Sequence, residues 1–73
     1  MTINKQLGKR IRYLRSNKKM SIEDLALEAG INPNYLSDLE RGERNPTVKV
    51  LTRIAIALEI TLSELFRGID VEL

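Results

Sequence analysis

The chain has no cysteine, no histidine and no tryptophan among its 73 residues. Without thiols there are no disulfides and no thiolate metal sites. Without imidazole or thiol the usual nucleophile–base pairs cannot be assembled. No P-loop or dinucleotide-binding glycine pattern is present, and "GKRIR" is not a phosphate-cradling loop. Glu23 and Asp24 are adjacent and diverge by about 100° on a helix, which makes a poor acid/base pair. No enzyme, cofactor, metal or small-molecule ligand is therefore expected. No apolar run approaches the roughly 20 residues of a membrane span. The first residues, "MTINKQLGKRIRYLR", carry charge where a secretory leader needs apolar residues. A cytoplasmic protein of bacterial or phage type is the expectation. There are also no repeats, linkers or low-complexity tracts, so residues 1–73 read as one small domain near the lower size for a single core.

What is present is charge, and it is segregated. The net charge is only +2, yet residues 1–20 hold Lys5, Lys9, Arg10, Arg12, Arg15, Lys18 and Lys19 with no acid. Residues 21–40 hold Glu23, Asp24, Glu28, Asp38 and Glu40 with no base. Arg41, Arg44, Lys49 and Arg53 then face only Glu43, and acids dominate the end. Such blocks can build a basic face for a polyanion on a nearly neutral protein, or simply keep helix surfaces solvated.

The apolar residues follow a helical period throughout. Ile3, Leu7, Ile11 and Leu14 form one stripe over about residues 4–18. Ser21 suits the N-cap of a second helix, with Glu23 and Asp24 in its first turn. Leu25, Ala26 and Ala29 face inward there, and Gly30 ends it. A third helix runs from about 33 to 41, capped by Asn32, opened by Pro33 and closed by Gly42. Thr47 caps a fourth helix bearing Leu51, Ile54, Ala55 and Leu58, and Thr61 a short fifth one with Leu62, Leu65 and Phe66. The final "GIDVEL" alternates apolar and acidic residues, as a short edge strand or a loose tail would.

Only "GIN" joins the second and third helices. A short glycine turn forces such helices to cross steeply, which either makes an ordinary helical hairpin or pushes the second helix toward a DNA groove. The stretch "SIEDLALEAGINPNYLSDLERGERNPT" resembles the helix-turn-helix family of the phage-repressor and Cro type, the XRE family. Ser21, Leu25, Ala26, Gly30, Ile31, Leu36, Ser37, Leu39, Glu40, Gly42 and Pro46 match its pattern. The resemblance runs from the basic first helix to "LEITLSELF". "NYLSDLERGERNP" in so short a chain also resembles restriction–modification controller proteins. The resemblance implies an all-α, compact five-helix domain of the lambda-repressor-like type. Its helix-turn-helix spans about 21–42, and the C-terminal helices, about 47–67, carry a dimer surface. One residue departs from the pattern. The family often opens its second helix with a Gln that reaches a phosphate, and here that position is Ile22.

On a helical wheel Leu36, Leu39 and Glu40 share one side of the third helix. Asn34, Ser37, Asp38 and Arg41 share the other, the one a groove would meet. Asn34 can pair with adenine, Ser37 is adaptable, and Asp38 can accept from a cytosine amine or hold a neighbouring side chain. Tyr35 stands at the boundary, and Pro33 offers apolar contact only. These five are the base-reading candidates. Phosphate candidates are Arg41, Arg44, Asn45, Thr47 and Lys49, with Ser21, Lys19 and Arg10 less central. Glu40, beside two core leucines, needs a cation. Arg15, at the edge of the first stripe, is the expected partner, and the family resemblance implies the same salt bridge. The expected function is sequence-specific binding of double-stranded DNA by a homodimer on two half-sites. Leu62, Leu65, Phe66 and Ile69 are the candidate dimer residues. The alternative is a protein-interaction module, such as an antitoxin or adaptor, built on the same fold.

Overall fold

Every helix begins at a side chain that satisfies one of its bare backbone N–H groups. In the computed structural model, which describes residues 2–70, α1 (Ile3–Asn17) starts at Thr2 and α2 (Ile22–Ala29) at Ser21. Asn32 caps α3 (Pro33–Glu40), Thr47 caps α4 (Val48–Ala57) and Thr61 caps α5 (Leu62–Leu65). The cap oxygens accept from backbone N–H groups at 2.7–3.2 Å. The expected elements are all found, with ends displaced by about one residue. Residues 71–73 of the "GIDVEL" ending lie outside the described residues, and no strand occurs among those described.

The α2 cap is reciprocal. The Asp24 N–H donates to the Ser21 hydroxyl, and the Asp24 carboxylate accepts from the Ser21 N–H, both at 3.0 Å. That backbone hydrogen bond, with the Ser21 side chain second, holds the Asp24 carboxyl below its ordinary value. A depressed folded-state pKa means the stabilisation is present above the unfolded value and is lost as pH falls through the folded one. The Asp24 titration midpoint, followed by NMR, should therefore lie below that of a free aspartate. Asp24→Ala should remove this part of the acid sensitivity of the melting temperature.

Two glycine turns set the frame. Gly30 (φ +70°) and Gly42 (φ +79°) are left-handed, a region costly for other residues. After Gly30 the Ile31 N–H reaches back to the Ala26 carbonyl at 3.0 Å, and after Gly42 the Glu43 N–H reaches the Asp38 carbonyl at 2.9 Å. The first turn redirects the chain from α2 to α3. The second releases it toward α4, with Gly42 lying against the Lys5 backbone.

The core joins all five helices. Leu7 and Ile11 of α1 meet Leu25 and Ala26 of α2, Leu36 and Leu39 of α3, Leu51, Ile54 and Ala55 of α4, and Leu65 of α5. Ile3, expected in the first stripe, is 43% exposed at the first position of α1. Burying one face of α3 through Leu36 and Leu39 fixes which face is left outward.

Candidate nucleic-acid interface

That outward face is short and polar. Pro33 and Asn34 are exposed, while Tyr35, Ser37 and Asp38 are half-buried. Ser37 lines a shallow groove between α1, α2 and α3 with Arg12, Arg15, Ile22, Glu40 and Arg41. Ile22 is packed against the core there. Its side chain offers no amide to a phosphate, unlike the Gln common at this position.

Beneath this groove Glu40 and Arg15 meet as the sequence led us to expect. Arg15 Nε and Nη2 donate to the two carboxylate oxygens at 2.7 and 3.0 Å, and Nη1 donates to the Met20 carbonyl at 2.8 Å. The side chains are 13% and 7% exposed. The hydrogen bonds to Glu40 outweigh desolvation and raise the guanidinium pKa further above its ordinary value. This fork ties the end of α1 to the end of α3.

A second ionic cluster lies on the outer side of the same helix. The Asp38 carboxylate accepts from Arg41 and, at 3.1–3.2 Å, from Arg44 Nε and Nη2. Arg41 is also 3.4 Å from Glu43, and the Arg44 guanidinium lies 5.4 Å from the centre of the Tyr35 ring. Of the two roles open to Asp38, holding neighbouring side chains is the one realised here. Tyr35 becomes a shelf for Arg44.

The remaining candidates divide. Thr47 caps α4 beside the exposed Lys49, and Asn45 hydrogen-bonds Asn4 of α1. Ser21 and Lys19 are exposed at the start of α2. Arg10 needs correction. It lies about 200° around α1 from Gly8, the residue packed on α3. Its guanidinium donates to the Glu64 carbonyl at 2.8 Å and lies over Tyr13, so it braces α5 and not the outward face of α3. Leu65 also needs correction: it is fully buried in the core and has no surface to offer a second copy. Phe66 is 36% exposed, and Leu62 and Ile69 are half-buried.

Sequence reasoning passed over Gly8, whose place in the middle of α1 carries a signal. A glycine inside a helical pattern marks either a weak helix or a close approach. Here it is the approach: a Cβ at Gly8 would lie 2.5 Å from the carbonyl oxygens of Leu39 and Glu40. It also passed over Ile56, which is 69% exposed on α4.

Two helices joined by a left-handed glycine, the second with a polar face turned outward, define a helix-turn-helix domain. A family model described as helix-turn-helix matches residues 11–65. The chain belongs to this family, of the phage-repressor and Cro type, whose members are transcriptional regulators rather than enzymes. It is 44% identical over 61 residues to the HTH-type transcriptional regulator SlrR of Bacillus subtilis, covering 82% of this chain but only 40% of SlrR. It is 39% identical over 70 residues to an HTH-type transcriptional regulator, y4dJ, of Sinorhizobium fredii, covering 96% of this chain and 91% of that one. Among solved structures, the restriction–modification controller protein C.AhdI from Aeromonas hydrophila superposes with a TM-score of 0.83. It shares 39% sequence identity, over 88% of this chain and 96% of that one. Among the described residues no helix is long and apolar enough to cross a membrane.

Proposed function

We propose that the chain is a sequence-specific, double-stranded DNA-binding transcriptional regulator that acts as a homodimer in a bacterial or phage-type cytoplasm. The observation that carries this reading is the outward polar face of α3, held above a core of Leu36 and Leu39 and followed at once by Arg41, Arg44 and Lys49. In this reading α3 enters the major groove. Asn34, Ser37, Asp38, Tyr35 and Pro33 face base edges. Arg41, Arg44, Asn45, Thr47 and Lys49 meet phosphates on one side, with Ser21 and Lys19 on the other. The free N–H groups at the start of α4 add to the first set. An eight-residue helix reads few base pairs, so two copies would place their α3 helices about 34–36 Å apart. Phe66, with Leu62, Ile69 and Ile56, supplies the apolar surface for that pairing. The likeness to a restriction–modification controller supports a regulator of this kind.

A mobility-shift titration at several salt concentrations tests the reading. Log affinity should fall linearly with log salt, by about 0.9 per phosphate neutralised. Lys49→Ala should reduce that slope by about one contact and weaken binding to all duplexes alike. If micromolar protein shows no salt-sensitive binding to any duplex, the fold serves instead to hold another protein.

A further inference from the structure

Arg41 and Arg44, the two arginines that follow α3, are paired in the free protein. Asp38 holds both Arg41 and Arg44, Glu43 takes a further share of Arg41, and Tyr35 supports Arg44 from one side. Two acids thus match two bases, so the turn that should attract a polyanion is internally neutral. The Asp38 side chain is only 25% exposed, against 58% for Arg41 and 51% for Arg44. The carboxylate is the enclosed member, and the guanidinium groups are the outer ones.

We propose that Asp38 is the specificity-determining residue of this face, acting as a negative gate on Arg41 and Arg44. This rests on the reading of α3 as a major-groove helix. Any duplex must draw the two arginines away from Asp38 or bind them while they are still paired. Either way it brings phosphates toward a carboxylate. Exposed ion pairs of this kind are individually weak, so the arginines can be surrendered. What remains is a carboxylate in the groove, which is tolerated where a cytosine N4 amine donates to it and repelled where the base edge offers only acceptors. Non-specific affinity is held down at every site, and the penalty is relieved only at sites of the right sequence. The Tyr35 ring still supports Arg44 once Asp38 lets it go, so the guanidinium is delivered in fewer orientations.

The test compares the full chain with Asp38→Asn and Asp38→Ser, on a random-sequence duplex and on the duplex that the wild-type protein selects from a random pool. Both variants keep a small polar group at a partly exposed position, and thermal melts check that each is folded. With the gate removed, random-duplex affinity at low salt should rise roughly tenfold, and its salt slope should steepen by about 0.9 for each arginine released. The preference for the selected duplex over the random one should fall on the order of tenfold. Unchanged random-duplex affinity and slope in a folded variant would overturn the proposal, as would an undiminished preference. Failure of the wild-type protein to bind any duplex would instead remove the reading beneath it, so the two failures are distinguishable.

Discussion

Glu40→Ala should lower the unfolding free energy by roughly 2–4 kcal/mol, below the cost for a fully buried pair because Arg15 and Glu40 are part-buried. The two side chains are 7% and 13% exposed and the pair is bidentate, so the substitution removes two charge-assisted hydrogen bonds at once. Arg15 would remain beside Ile22 with the Met20 carbonyl as its one protein hydrogen-bond acceptor among the described residues. By contrast Arg67–Glu64, exposed at 73% and 37%, belongs to the class worth about 0–1 kcal/mol. A chain of 73 residues has a total stability on the order of 4–11 kcal/mol, so the substitution would take much of it. Urea denaturation with a shared m-value measures the change, and a loss below about 1 kcal/mol would put this pair with the exposed ones. The folded-state pKa of Arg15 is raised, so its contribution is fully present below the unfolded value and is lost only at extreme alkalinity. Glu40→Gln separates structure from recognition. Unchanged stability together with abolished DNA binding would show that Glu40 meets the ligand instead of Arg15.

A second substitution sets two opposing effects against each other. In an unencumbered helix, replacing glycine with alanine stabilises by roughly 0.5–1 kcal/mol. At Gly8 the added carbon would stand 2.5 Å from two backbone oxygens of α3. Neither oxygen is the end of a flexible side chain, so α1 and α3 must separate. Overpacking of this kind costs about 1–3 kcal/mol, and more when backbone has to move. Packing should win: Gly8→Ala should be destabilising despite its better helix propensity, and Gly8→Val should cost roughly 3 kcal/mol or more. Gly68→Ala serves as the comparison, since nothing lies within 4 Å of its added carbon. Only its positive φ is penalised there, at about 1–2 kcal/mol. If Gly8→Ala raised the melting temperature, the close contact of α1 with α3 would be disproved.

These two residues mark the boundary of what could be read in advance. Glu40 was legible because a carboxylate on the same helix face as Leu36 and Leu39 has to be neutralised, and Arg15 stood at the right edge of its own stripe. Gly8 was not, because only the distance between two helices distinguishes a packing glycine from a weak point. Arg10 shows the same limit from the other side. A basic residue in a basic helix reads as a phosphate contact until the rotation of that helix against its neighbours is known, and the rotation turned Arg10 to α5. Leu65 and Phe66 are adjacent and equally apolar, yet one closes the core and the other remains partly outside.

The sequence by itself determined the five helices, their caps and glycine stops, the turn between α2 and α3, and the inward and outward faces of α3. All of these are encoded in local chemistry and in a period of about 3.6 residues. Only the tertiary structure decided that Asp38 also holds Arg44. Arg44 looks like a free cation when counted along the chain, but the turn at Gly42 brings it back onto Asp38, which already holds Arg41 three residues on. Whether a charge is available to a partner depends on its neighbours in space, and those are set by packing.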